Sequence, residues 1–154
     1  MPSPPQYAGA PITDIRNTAS LALAALAGAA EPVWVPATTF SEWEDTKPKK
    51  TKRWFAINED RRLFFFAGIW TKWHGQRKRA EGPLDHKIFG FLTTDANEVV
   101  KPIHPKAMPV ILKTQDEIET WLTAGWSDAL HLQRSIASKD LILLPIDIGG
   151  DKRR

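Results

Sequence analysis

The chain contains no cysteine. That excludes a disulfide framework, a thiolate metal site and any thiol nucleophile supplied by this polypeptide. Long hydrophobic runs are missing as well. The longest near the start, Leu21 to Ala30, is too short to span a bilayer, and no basic region of the kind that opens a signal peptide precedes it. A cytoplasmic protein with no membrane partner is expected. The four histidines, His74, His86, His104 and His131, share no metal-ligand spacing, so neither a metal nor another cofactor is expected. No internal repeat is visible.

What is present describes one globular domain. The 154 residues are 42% hydrophobic and 25% charged, an ordinary balance for a single folded unit. A chain of this length buries roughly two-thirds of its unfolded surface, enough for a core without staples. The net charge of +3 is unevenly spread: Lys47, Lys49, Lys50, Lys52 and Arg53 crowd one stretch, and Lys72, Arg77, Lys78 and Arg79 another. Such patches suit phosphate, although lysine-rich loops also serve solubility.

Residues 1–11 hold four prolines and little that packs, so a disordered lead-in is expected there, then a domain over 12–146 and a flexible tail over 147–154. The alanine- and leucine-rich run Thr18 to Ala30 predicts a helix closed by Glu31-Pro32. Strands are predicted at Val33 to Trp43, Arg53 to Asn58, Leu63 to Trp70, Ile88 to Thr94, Met108 to Leu112 and Leu141 to Pro145, all rich in β-branched and aromatic residues. The polar linker Glu59-Asp60-Arg61-Arg62 has the length of a hairpin loop, so the strands flanking it are expected to pair antiparallel. Leu63 to Ile69 is apolar on both faces and should be central. Thr114 with Glu117 forms a capping box for a helix whose buried stripe is Ile118, Trp121 and Leu122, and Ser127 is a plausible cap for a second. The class is α+β: a curved, barrel-like, mainly antiparallel sheet with peripheral helices.

Three places carry candidate chemistry. Strand alternation puts Glu42 on one face with Phe40, Thr38 and Trp34. If that face is inward, burial raises the carboxyl pKa and fits the side chain to hold or pass a proton near neutrality. An exposed glutamate opening the acidic cluster Glu42, Glu44, Asp45 suits the same pattern. His104 stands between Pro102 and Pro105, which restrict the backbone and give the imidazole the fixed placement a general acid or base needs, although an ordinary loop histidine also fits. Asp14-Ile15-Arg16-Asn17 precedes the first predicted helix. There Arg16 can fork two hydrogen bonds to a phosphate, or the segment is simply a helix entry with Asn17 or Thr18 as cap. Gly68 and Trp70 in the central strand, and Trp73 with the basic stretch, offer aromatic surface beside cations, as proteins that hold single-stranded nucleic acid do; more often such tryptophans are core.

Four segments occur in the order and at the intervals of one family: Val35-Pro36-Ala37-Thr38-Thr39-Phe40-Ser41-Glu42-Trp43, Leu63-Phe64-Phe65-Phe66-Ala67-Gly68-Ile69-Trp70-Thr71, Gly90-Phe91-Leu92-Thr93-Thr94, and Ile103-His104-Pro105-Lys106-Ala107-Met108-Pro109-Val110-Ile111-Leu112. From about Asp14 to Pro145 the chain resembles the SOS response-associated peptidase (SRAP) domain. The resemblance implies a DNA-damage protein that binds single-stranded DNA and joins covalently to the ring-opened aldehyde of an abasic site. In that family an N-terminal cysteine, exposed by self-release of the initiator methionine, forms a thiazolidine through its amine and thiol. The glutamate matching Glu42 assists proton transfers. The histidine matching His104 acts in ring opening and in reversal of the crosslink. Arg16 matches a DNA-backbone contact, Thr93 a position lining the site, and Asp14 replaces an asparagine that helps position the amine.

The family's Cys-Gly-Arg start has no counterpart, and position 2 is Pro2. Three readings follow: an N-terminally truncated or split SRAP protein whose complementing fragment supplies the cysteine, a cysteine-free module that binds single-stranded DNA without crosslinking, or a structural remnant. A variant of the second exposes Pro2 as a secondary amine able to form an iminium with an aldehyde.

Overall fold

A computed structural model describes residues 14–19, 28–76 and 80–146. The expected helix over Thr18 to Ala30 falls mostly on residues 20–27, which lie outside the described ones, as do the lead-in, the tail and the basic residues Arg77, Lys78 and Arg79. In chain order the strands are β1 (Asp14–Ile15), β2 (Ala30–Ala37), β3 (Phe40–Glu44), β4 (Thr51–Ala56), β5 (Phe64–Gly75), β6 (Leu84–Thr94), β7 (Met108–Pro109) and β8 (Ile111–Leu112). Helices α1 (Gln115–Thr123) and α2 (Trp126–Ala129) follow, and β9 (Ile142–Leu143) comes last.

The strands form two sheets. The larger runs β1-β6-β5-β2, with β7 added to β6 and β8 to β5; the smaller runs β3-β4-β9. All described pairings are antiparallel except β1 with β6. The fold is therefore α+β with mainly antiparallel sheets, but the described strands do not close into a barrel.

β5 is central, as its two-sided apolar pattern requires: it pairs with β2, β6 and β8, and Phe64, Ala67 and Ile69 are buried. Gly68 sits where β5 and β6 approach closely. A Cβ there would meet the Gly90 carbonyl oxygen at 2.9 Å and Val33 Cγ2 at 3.2 Å, so only glycine fits without movement.

Several sequence expectations are corrected. The single strand over Val33 to Trp43 is two: β2 ends at Ala37 in the larger sheet, and after Thr38-Thr39 β3 begins at Phe40 in the smaller. Alternation cannot be counted across that break, so Trp34 is 41% exposed while Phe40 is buried. The hairpin expected across residues 59–62 does not form. Its flanking strands β4 and β5 lie in different sheets and present Phe55 and Phe64 to one shared core cluster. Strands that face one another across a core have the same apolar pattern as strands that share a ladder, and this linker is a turn on Asn58, whose main-chain oxygen accepts from Arg61 N (3.1 Å) and whose Oδ1 accepts from Arg62 N (2.9 Å). Met108 to Leu112 is likewise split. Val110 separates β7 from β8, donating its N–H to Leu92 O (2.9 Å) and accepting from Ala67 N (3.1 Å).

The capping box forms: Glu117 N donates to Thr114 Oγ1 (3.2 Å), and Glu117 Oε2 accepts from Thr114 N (3.2 Å). Such a cap contributes about 1 kcal/mol. Trp121 is fully buried, and its indole N–H reaches Val33 O (2.8 Å) and Gly68 O (3.1 Å), tying α1 to β2 and β5. Leu122, expected in the stripe, is 37% exposed, because only Ile118 and Trp121 turn toward the sheet. Ser127 lies inside α2, whose N-cap is Gly125. Two clusters result: Phe40, Phe55, Phe64, Val100, Met108 and Ile111 between the sheets, and Ala67, Ile69, Leu92, Val110, Leu112 and Trp121 under the helices.

Candidate active site where the two sheets meet

Phe40 turns into the core, and two residues on the same face of β3 carries Glu42 to the edge of that core. Its side chain keeps 25% of its exposure. Loss of hydration pushes its pKa above the ordinary 4.5; the nearby His104 opposes the rise and the carboxylate of Asp14 adds to it. Asp14 arrives from β1, where it pairs with Phe91 of β6. Three segments far apart in the chain thus put Asp14, Glu42 and His104 within electrostatic reach of one another.

His104 ends a compact loop built on Asn97. The buried Asn97 side chain accepts from Val99 N and Val100 N through Oδ1 (both 3.1 Å) and donates from Nδ2 to Ile136 O (3.0 Å). Val100 O in turn accepts from Ile103 N (2.9 Å) and His104 N (2.8 Å). The imidazole Nδ1 donates to Ala107 O (2.9 Å) and lies 3.9 Å from Glu42 Oε2. A neutral ring held this way carries its proton on Nδ1 and leaves Nε2 as a base. The side chain is 35% exposed, open to a substrate.

Arg16 follows β1. Its guanidinium donates to Lys106 O (2.8 Å) and forms an ion pair with Asp95, so two of its five N–H groups are engaged with the protein. Thr93 is buried on β6 opposite Pro109, and its carbonyl accepts from Gln133 Nε2 (3.0 Å), which also reaches Arg16 O (2.9 Å). Gln133 therefore clamps the ends of β1 and β6 together. Across the β3–β4 ladder from Glu42 stands Arg53, only 17% exposed, with Nη1 2.5 Å from Glu44 Oε2 and Nε buried without a partner.

The remaining histidines are elsewhere: His74 pairs with Asp85 (2.6 Å), and His86 stacks on Trp73. Among the described residues no group of three or more His, Asp or Glu side chains is placed to hold a metal ion, and no helix is long and apolar enough to cross a membrane. Asn97 and Gln133 were not among the sequence candidates, and Arg53 appeared there only as one member of a basic stretch. Only Asn97 leaves a local trace, a polar residue two positions before Val99-Val100 just after a strand, the setting of an Asx turn.

The sequence matches the family model described as SOS response associated peptidase (SRAP) over residues 25–147. The chain belongs to the SRAP family. Two curated SRAP relatives are named abasic site processing proteins. YoqW, of Bacillus subtilis and of Bacillus phage SPbeta, is 34% identical over 109 residues, covering 69% of this chain. YobE of Bacillus subtilis is 34% identical over 114 residues, covering 73%. This SRAP chain spans about half the length of those relatives, 44% and 45% respectively. A crystal structure of a protein from Bacteroides thetaiotaomicron superposes with a TM-score of 0.60 at 26% identity, over 73% of this chain and 48% of that one.

Proposed function

We propose that this SRAP-family chain binds single-stranded DNA at abasic sites and handles protons at the damaged sugar through Glu42 and His104, with Asp14, Arg16 and Thr93 on the DNA side of the site. The observation that carries this reading is the approach of Glu42 and His104 to 3.9 Å from two different parts of the fold, one carboxyl with raised pKa and one imidazole with a free Nε2.

An abasic deoxyribose closes as a cyclic hemiacetal. In the proposed opening step His104 Nε2 takes the proton of the C1′ hydroxyl, the C1′–O4′ bond breaks, and protonated Glu42 gives its proton to O4′. The products are an aldehyde and a 4′-hydroxyl. His104 then releases the proton from Nε2 to solvent and Glu42 takes one back from solvent, which both partly exposed side chains can reach. Closure to a thiazolidine, as the SRAP resemblance implies, takes the amine and thiol of a cysteine and releases water. These 154 residues hold no cysteine, so that step needs a cysteine from outside them, and these residues alone stop at binding and ring opening.

The test uses a labelled single-stranded oligonucleotide with one abasic site and an aminooxy probe that captures open-chain aldehyde. Wild-type protein accelerates capture, Glu42→Gln and His104→Ala abolish the acceleration, and a denaturing gel shows no covalent band until a polypeptide beginning with cysteine is added. Binding on a native gel with no acceleration would leave a binding-only module. Failure to bind would end the reading altogether.

A further inference from the structure

The inner face of the larger sheet does not stop at the site. Cross-strand partners on one face of β5 and β6 are Gly68 with Phe91, Trp70 with Phe89, Lys72 with Lys87, and His74 with Asp85. Phe66 and Phe91 are in ring contact at 5.2 Å, and Phe91 and Phe89 at 5.8 Å, so an aromatic ladder climbs out of the core. It ends in the open, since Phe89 is 59% exposed. Asp14 pairs with Phe91, which places the foot of the ladder beside the Asp14, Glu42 and His104 cluster.

The rung above the aromatic pair is a pair of lysines. Like charges directly opposite one another on a ladder repel, and neither Lys72 nor Lys87 has an acidic partner among the described residues; Lys87 Nζ instead lies 5.6 Å from the centre of the Trp70 ring. Of the acids on this face, Asp85 is held by His74, and Glu31 stands opposite Trp70, one rung from the lysines and in ion-pair contact with neither. Successive rungs are about 6.7 Å apart. A flat ring surface followed one rung later by two uncompensated cations fits a base and its phosphate.

We infer that this ribbon is a track for single-stranded polynucleotide, in which a base adjoining the lesion stacks on Phe89 and Trp70 and its phosphate is held between Lys72 and Lys87. The track extends the DNA reading above and rests on it for what occupies the foot of the ladder. It is non-specific: every base has a face to stack, and the lysines read only charge.

The experiment is fluorescence anisotropy with a labelled 12-nucleotide oligothymidylate, undamaged, at several salt concentrations. Phe89→Ala is expected to weaken binding about tenfold without changing the salt slope. The double variant Lys72→Gln/Lys87→Gln is expected to weaken it and to lower the slope by about 0.7, the value for the one phosphate the two lysines share. All three side chains are exposed, so the variants should fold, and circular dichroism checks it. Wild-type affinity in both variants overturns the track, and the aldehyde-capture result with Glu42 and His104 then decides separately whether the abasic-site reading stands. A wild type that self-associates, becomes monomeric with Phe89→Ala and binds DNA unchanged shows that a second polypeptide covers the face, which also overturns the track. No binding of the undamaged strand by the wild type overturns the track and leaves the abasic-site reading to the aldehyde-capture test.

Discussion

Arg53 stands directly opposite Glu42 on the β3–β4 ladder, yet its guanidinium is bonded to Glu44, one rung along. A cation facing a carboxylate usually lowers its pKa, but the pKa of Glu42 is raised, by burial and by Asp14. Glu44 holds the charge that would otherwise make Glu42 a spectator ion.

Replacing Glu44 with Gln should therefore alter a residue it does not touch. With its partner neutral, Arg53 is free to turn toward Glu42, and the Glu42 carboxyl should titrate at lower pH than in the wild type. Carbon-detected NMR titration of the side-chain carboxyl reads this directly. An unmoved Glu42 titration would mean that Arg53 cannot reach it.

Glu42 should also make stability depend on pH. Its folded pKa lies above 4.5, so above pH 4.5 the native state binds more protons than the unfolded chain, and stability contributed by this group is lost as pH rises through the folded value. Glu42→Gln removes the titration. The variant should melt higher than wild type at pH 7, and the gap should close at pH 4. A gap independent of pH would trace the effect to packing.

Asn97→Ala strips three hydrogen bonds from a buried turn, leaving Val99 N, Val100 N and Ile136 O without their partner. Unsatisfied buried groups cost about 1–3 kcal/mol, so the unfolding free energy from a urea titration should fall by about 2 kcal/mol. Since the same turn holds His104, aldehyde capture should fall as well, at a temperature where the variant remains folded. Asn97→Asp keeps the acceptor for Val99 and Val100 and should recover part of the loss.

Arg16→Ala should weaken binding to single-stranded DNA and lower the salt slope by about 0.7, the value for one phosphate. Asp95→Asn should do the reverse, since it frees the guanidinium from its exposed ion pair. Identical slopes in all three proteins would assign Arg16 a purely structural task, joining Lys106 and Asp95 to β1.

The features legible in the sequence are those decided within a few residues or on both faces at once. Thr114 and Glu117 cap α1 because both halves of the box lie in one turn. β5 is central because nothing polar interrupts Phe64 to Ile69. Sheet membership was not legible: Thr38-Thr39 carries neither glycine nor proline, yet the chain changes sheets there, and Phe55 and Phe64 have the same apolar signature whether their strands pair or face one another. In the site, Glu42 and His104 stand out by residue type and family motif. Asp14 enters through a two-residue parallel strand with no local signal, and Gln133 works on Thr93 and Arg16, 40 and 117 positions away.

Val110 gives the chain an index mark. One residue wide, it is stitched to β6 by its N–H and to β5 by its carbonyl, so β7 and β8 are locked to different neighbours with no slack between them. His104 is six positions upstream of Val110, on a tether whose length is counted from that lock. Deleting one residue between them would draw the imidazole along by about 3.3 Å, nearly the whole of the gap to Glu42. In this fold the spacing of Glu42 and His104 is kept by a tally of residues, and point substitutions in the 105–107 segment should be far better tolerated than any change in its length.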